Sequence, residues 1–151
     1  MSAKQIVAVL LLGVLGFSAH AADLSTPVGL WRTIEDSTGK DRSLLRIVEV
    51  GGLLEGRVEK TLNRQPDDDP DGLCRKCTGT RKDQPIVGMT ILIGLKKDGK
   101  GVWAGGEILD PGNGKTYRCK VKLVDGGTKL EVRGFIGVSL LGRTQTWIRE
   151  E

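Results

Sequence analysis

Histidine is almost absent from this chain of 151 residues, and its single copy, His20, lies in an N-terminal segment that we expect to be removed. Imidazole is the usual general base, the usual partner of serine and cysteine nucleophiles and the commonest ligand of zinc. A mature protein without histidine lacks the main group of those reaction classes. We therefore predict a protein that is not an enzyme, needs no cofactor and holds no metal.

Long apolar runs and blocks of like charge are missing as well. The longest apolar run, residues 6–17, has 12 residues, which is short of the roughly 20 that span a bilayer. The 23 basic and 19 acidic residues are interspersed, and the net charge is +4. The basic residues therefore form no stripe that would favour binding to nucleic acid. No cysteine adjoins the N-terminal segment. We therefore expect no membrane span, no lipid anchor and no nucleic-acid partner.

The N-terminal segment has the parts of a secretory signal peptide. Lys4 precedes the apolar run, and Ala19 and Ala21 place small residues at the two positions that a signal peptidase reads. Cleavage after Ala21 leaves residues 22–151 as one domain. The sequence therefore predicts a signal peptide over residues 1–21 and a periplasmic or secreted product.

The mature chain has the pattern of short strands joined by turns. In the clearest strand, Tyr117, Cys119, Val121 and Leu123 alternate with basic residues, and this period of two indicates one buried face. Gly, Asn and Asp between the strands favour tight turns and hence antiparallel neighbours. The eight candidate strands cover residues 29–35, 43–49, 53–60, 89–95, 102–109, 117–123, 129–135 and 143–149. They predict an all-β, eight-stranded antiparallel up-and-down barrel, either filled or with room for one small ligand.

Two stretches interrupt this regular pattern. Residues 63–85 form a polar, Asp-rich connection that is too long for a simple turn, so we expect a functional or a tethered loop. Residues 136–141 are a compact apolar segment between glycines, and we expect them to pack against one end of the barrel. Ser139 in that segment resembles the serine of a nucleophile elbow, but no histidine follows it, so we interpret it as structural.

Three cysteines allow three disulfide pairings. Cys74 and Cys77 form a Cys-x-x-Cys pair, which in an oxidising compartment is a disulfide, a redox centre or half of a zinc site. Zinc lacks enough ligands here, and the context of a thioredoxin-like redox site is missing. We favour a disulfide between Cys74 and Cys77, whereas Cys119 is either a buried thiol or the partner of one loop cysteine.

Asp67, Asp69 and Asp71, followed by Gly72, match the opening of a calcium-binding loop. The twelfth position is Thr78, where a bidentate glutamate belongs, and no flanking helices are evident. A solvated acidic loop is the favoured interpretation, and weak calcium binding stays open.

A Gly-x-Trp tripeptide, Gly29 to Trp31, stands at the start of the first strand. Calycin barrels such as lipocalins carry this tripeptide at the same place, with an arginine from the end of the barrel over the indole in a cation–π contact. Arg149 or Arg143 is the candidate for that structural contact here.

The assembled pattern resembles the small exported bacterial proteins grouped as domain of unknown function 2147. The similarity runs from Gly29 to Trp147 and is most specific at residues 74–77, 105–111, 114–117 and 133–147. The resemblance implies a lipocalin-like barrel and export, and it supplies no activity that can be carried over.

Function is predicted as a class only. We expect a non-enzymatic binding protein that holds a small apolar or amphiphilic ligand in the barrel, since ligand sites are concave and mostly apolar. The alternative is an envelope or secreted interaction module with a filled barrel that acts through its loops. An enzyme would have to use carboxylates or the two loop cysteines. The predicted ligand-binding residues are aromatic: Trp31, Trp103, Tyr117, Phe135 and Trp147.

Overall fold

The computed structural model describes residues 21–138 and 140–151, so Ser139 and all of the predicted signal peptide except Ala21 lie outside the described residues. The strands are β1 Gly29–Ile34, β2 Asp41–Val50, β3 Leu53–Thr61, β4 Thr90–Lys97, β5 Val102–Asp110, β6 Lys115–Val124, β7 Lys129–Phe135 and β8 Gly142–Arg149. Each strand pairs antiparallel with the next, and β8 pairs with β1 to close the barrel. The predicted eight-stranded up-and-down barrel is confirmed. Within the described ranges, no helix is long and apolar enough to cross a bilayer.

Alternation of side chains explains the strands. In β6, Cys119 and Val121 are fully buried, whereas Lys120 and Lys122 are exposed. Because successive side chains of a strand point to opposite faces, the apolar half of each pattern faces the barrel interior. A slip of one residue would bring the lysines inside, so the same alternation also sets the register of the pairing.

The barrel closes through a short seam between β1 and β8. Only two residue pairs form it in the described chain, Trp31 with Arg149 and Arg32 with Ile148. Glu150 extends the contact, because its backbone N–H donates to Leu30 O at 2.8 Å and its carboxylate accepts from Arg32 Nε at 2.7 Å. The first and last strands are thereby joined into one continuous sheet.

The two ends of the barrel differ. One end, which we call the mouth, carries the connections 35–40, 62–89, 111–114 and 136–141. The other, the closed end, carries the short turns 51–52, 98–101 and 125–128 and the segment before β1. The largest fully buried side chains of the interior are Trp31, Trp147, Leu45, Ile47, Leu54, Leu92, Leu95, Leu130 and Val121. They belong to one hydrophobic core, which lies mainly toward the closed end.

The long connection 62–89 is ordered against the mouth. Its two limbs are joined by the hydrogen bonds Cys74 N–H to Gln84 O (2.8 Å) and Ile86 N–H to Gly72 O (2.9 Å). Gly114, in the β5–β6 turn, has a φ of +74°, and a Cβ there would overlap the backbone carbonyl of Lys76 in the connection. The β5–β6 turn and the connection therefore approach as closely as two backbones can.

The apolar connection 136–141 does not pack onto the barrel, so that prediction is wrong. Ile136, Val138, Leu140 and Leu141 are 67%, 59%, 89% and 72% exposed. The last pair of the β7–β8 ladder is Phe135 with Gly142. The two strands continue to the rim, and the four apolar side chains of the segment remain largely exposed there.

Candidate functional site

A cavity of about 1280 Å³ extends from the mouth into the barrel. All eight strands contribute lining residues near their mouth ends, and the connection 62–89 adds a wall on one side. Pockets for small ligands usually measure about 300–1,000 Å³, so the space suffices for one such molecule. This open cavity disagrees with the filled barrel that the alternative interpretation required.

The most buried lining residues are apolar. Val58, Val132 and Trp147 are almost entirely buried, Ile91 is buried and Ile108 is partly buried. Each lies on an inward-facing position of a different strand. An apolar group of a ligand that displaces water from the deep part of the cavity therefore gains free energy.

A belt of polar side chains lies above this apolar base. Thr33 is only 7% exposed, and its Oγ1 lies 2.8 Å from Ser43 Oγ. Trp147 Nε1 donates to Gln145 Oε1 at 3.3 Å, and Gln145 Nε2 donates to Asp36 Oδ2 at 3.1 Å. Thr33 Oγ1 also donates to Ser43 O at 3.4 Å. Because each hydroxyl has one donor and two acceptor positions, the Thr33–Ser43 pair keeps free acceptor positions for a further polar partner.

The mouth itself is charged. Arg42 Nη1 and Nη2 donate to the two carboxylate oxygens of Asp68 at 2.6 and 2.5 Å, and Arg42 Nε lies 3.6 Å from the Glu35 carboxylate. Burial alone would raise the pKa of Asp68, but the hydrogen bonds from Arg42 and from the Gln65 N–H outweigh it and hold that pKa below its ordinary value. This bidentate pair fixes the start of the long connection to β2.

The structure contains a disulfide between Cys74 and Cys77, with a Cα–Cα distance of 5.3 Å. Lys76, between them, donates from Nζ to Gly112 O at 2.9 Å, so the disulfide turn is anchored on the β5–β6 turn. Cys119 is a free, buried thiol of β6 and is not the partner of a loop cysteine. Burial raises the pKa of the Cys119 thiol to about 12, which removes its reactivity at neutral pH.

The acidic residues of the connection are engaged by an arginine. The Arg75 guanidinium lies 2.9 Å from Asp69, 3.1 Å from Asp71 and 3.5 Å from Asp83. Hydrogen bonds from the Leu73 N–H and from Arg75 lower the pKa of Asp69. In the part of the chain that the structure describes, no group of three His, Cys, Asp or Glu side chains is placed to hold a metal ion.

The five aromatic residues predicted to bind ligand are divided between the two ends. Tyr117 and Trp147 line the cavity, and Phe135 borders it at the rim, where its ring lies beside Arg118. Trp31 and Trp103 do not line the cavity. Trp31 is buried at the closed end of the barrel. Trp103 is buried close to the 98–101 turn, and Lys97 Nζ lies 5.8 Å from the centroid of the Trp103 ring. Both are inward-facing, but they lie too deep in the core to reach the cavity.

An arginine covers Trp31 at the closed end. The Arg149 guanidinium lies 4.3 Å from the Trp31 ring centroid, and Trp31 Nε1 donates to Pro27 O at 2.7 Å. Arg149 also donates to the backbone carbonyls of Thr26 (2.6 Å), Gly127 (2.8 Å) and Val28 (2.9 Å). Arg143, the other candidate, lies at the mouth beside Asp36. The contact therefore belongs to Arg149.

We did not predict the polar belt or the charged mouth from the sequence. A signal for the belt exists, because Thr33 and Ser43 fall on the same strand faces as Trp31 and Leu45, where an apolar residue is expected. No local signal marks the Arg42–Asp68 pair, whose members are 26 residues apart.

Comparison with known proteins agrees with the architecture. A family model described as "Uncharacterized protein conserved in bacteria (DUF2147)" matches residues 29–149. No curated protein matches the chain. A solved structure, the protein HP1028 from the human pathogen Helicobacter pylori, described as belonging to the lipocalin family, is similar with a TM-score of 0.71 and 22% identity. The match covers 87% of this chain and 85% of that one, and at such identity it shows a common fold alone.

Proposed function

The chain belongs to the bacterial DUF2147 family and folds as a lipocalin-like barrel, and from this premise we propose that it is a periplasmic or secreted protein that binds one small amphiphilic molecule without transforming it. The observation that carries the proposal is the cavity of about 1280 Å³ inside the barrel. Close packing is the rule in protein interiors, so an open space of this size with an apolar base supports a site for a small ligand.

The polarity of the cavity indicates the kind of ligand. Its base is apolar at Val58, Ile108 and Val132, its middle offers the Thr33–Ser43 hydroxyl pair, and its rim is charged. Apolar surface favours burial of a hydrocarbon or aromatic group by about 25 cal/mol per Å². A ligand with an apolar body and a hydrogen-bonding head matches this order when it enters body first.

The polar groups already bound to one another define what the head can carry. Arg42 is neutralised by Asp68 and Glu35, and the charged residues that line the cavity nearly balance, with six cations and seven carboxylates. A compensated pair attracts a full counter-charge weakly compared with a lone charge. We therefore propose a head that is neutral or zwitterionic, such as an alcohol, an amide or a phosphocholine.

Binding is tested with the neutral fluorophore N-phenyl-1-naphthylamine, whose emission rises in an apolar site. Residues 22–151 are expected to bind it with a single site and to release it when lysophosphatidylcholine is added. Ile108→Trp fills part of the cavity and is expected to weaken probe binding by about tenfold, as for loss of about 1.4 kcal/mol. Native mass spectrometry of protein purified gently from the bacterial envelope would then show the natural ligand as an adduct.

Val48→Trp is the matched control, because Val48 is an exposed residue on the outside of β2, away from the cavity. The control is expected to bind the probe like the parent protein. Equal probe binding by Ile108→Trp and Val48→Trp, with both variants folded by thermal unfolding, would show that the probe does not enter the barrel and would refute the proposal.

A further inference from the structure

An exposed apolar cluster lies at the mouth, and two of its residues, Ile136 and Leu141, also border the cavity. Ile136, Val138, Leu140 and Leu141, which we call the apolar tip, expose more than half of their accessible surface. The tip is held in a turn by the hydrogen bond from the Leu141 N–H to Val138 O at 3.0 Å. Single exposed apolar residues are normal, whereas four of them on one short turn mark a contact surface.

Basic side chains lie directly behind the apolar tip on the outer face of β6 and β7. The Arg118 guanidinium donates to Gly137 O at 3.3 Å and lies 5.7 Å from the Phe135 ring centroid. Arg133 donates to Leu140 O at 3.2 Å. Both arginines therefore support the tip and place positive charge at its base.

A third cation, Lys120, opposes Arg133 across the sheet. Lys120 and Arg133 are directly paired in the β6–β7 register, and like charges in that arrangement destabilise a sheet. Glu107 faces Arg118 from β5, and the next outward pair toward the closed end, Lys122 with Glu131, is balanced. Arg118, Lys120 and Arg133 together with Glu107 therefore leave this face with a net positive charge near the apolar tip.

The opposite side of the mouth is balanced in charge. In the strand order, the β3–β4 connection lies across the barrel from the β7–β8 connection. Residues 62–89 carry five acidic and five basic residues, and Arg75 engages three of the carboxylates. An anionic surface therefore attracts the side of the mouth with the apolar tip more strongly than the side with the connection.

We infer that the apolar tip and the basic face of Arg118, Lys120 and Arg133 form a docking surface for an anionic phospholipid membrane. Apolar side chains that enter the acyl boundary, combined with cations at the headgroup level, are the two elements of reversible membrane binding. An acidic protein would match the charge but would leave the apolar tip exposed. The inference holds whatever the cavity contains, and it places one edge of the mouth against the lipid.

Vesicle flotation tests the inference on residues 22–151. We expect binding at low salt to phosphatidylcholine vesicles that contain about 30 mol % phosphatidylglycerol, weak binding to pure phosphatidylcholine, and release as salt rises. Leu140→Ser with Leu141→Ser is expected to lower the partition coefficient by at least about tenfold. Lys120→Gln is expected to lower it by about fivefold on the anionic vesicles alone, as for one cation near the surface.

The matched control is Val48→Ser with Val50→Ser, which removes two exposed apolar side chains from the β2–β3 hairpin at the opposite end. That variant is expected to bind vesicles like the parent protein. Absence of binding to the anionic vesicles, or equal loss in the control, would overturn the inference. It would also be overturned if the parent protein formed a dimer in sedimentation equilibrium without lipid and the Leu140 and Leu141 changes abolished it, because the tip would then be an interface between copies of the chain.

Discussion

Replacement of Arg149 by methionine tests the most connected polar contact of the barrel. The guanidinium donates to three backbone carbonyls at 2.6–2.9 Å and covers the Trp31 ring. These carbonyls belong to the segment before β1 and to the β6–β7 turn. Methionine keeps most of the apolar contact with the ring but donates no hydrogen bond, so the change isolates the polar part of the contact.

The expected cost follows from these contacts. A hydrogen bond from a charged donor contributes about 1.5–3 kcal/mol, and a cation over an indole contributes about 0.5–2 kcal/mol. The guanidinium is only partly buried, and the three bonds share one donor group, so the low end applies without full additivity. We expect Arg149→Met to lower the free energy of unfolding by about 3–5 kcal/mol, a large part of the 5–15 kcal/mol that is typical of a domain.

Urea unfolding of residues 22–151, followed by tryptophan fluorescence, measures this loss. With a slope of about 2 kcal/mol per molar urea, the middle of the usual range, the midpoint is expected to fall by about 1.5–2.5 M. Arg143→Met is the control, because the Arg143 side chain is 67% exposed and its ion pair with Asp36 lies at the surface, where about 0.5 kcal/mol is expected. A loss below about 1 kcal/mol for Arg149→Met, or equal losses in the two variants, would refute the assigned role.

Two further predictions concern titratable groups. With a pKa raised by burial to about 12, Cys119 is about 0.01% thiolate at about pH 8. Native protein should therefore not react with a thiol reagent, and denaturation without reductant should release one thiol per chain; rapid labelling of the native protein would contradict its burial. The folded pKa of Asp68 lies below its unfolded value, because Arg42 outweighs the effect of burial. Its contribution to stability is thus present above about pH 4 and is lost as the pH falls through the folded pKa, so the melting temperature of Asp68→Asn should fall less than that of the parent protein between about pH 5 and pH 3, and equal falls would disprove the coupling.

Much of the fold follows from local patterns. Alternation in β6 is clean because Arg118, Lys120 and Lys122 face water while Cys119 and Val121 face the core, and a two-residue period needs no knowledge of the rest of the chain. Tight turns identify antiparallel neighbours in the same local way. The Cys74–Cys77 disulfide is equally local, since three residues of separation bring the two thiols together in one turn.

The cavity could not be predicted in the same way. Alternation tells which side chains face inward, but not how far along the barrel axis each one lies. Trp31 and Trp147 both face inward, yet one supports the closed end and the other lines the cavity. The prediction for residues 136–141 failed for a related reason. Hydrophobicity indicates burial only where a surface is available, and the apolar side chains of this segment stay more than half exposed at the rim.

The seam between β1 and β8 has a consequence for the order of folding. Arg32 and Glu150, which meet across it, are 118 residues apart in sequence, whereas most other neighbouring strands are joined by short turns. Contacts between distant residues form only after the entropy of loop closure has been lost, so hairpins assemble first and the seam last. Until then, the edges of β1 and β8 offer unpaired backbone groups to any other chain. For newly made protein, the rate at which the last strand docks then decides between a finished barrel and an aggregate.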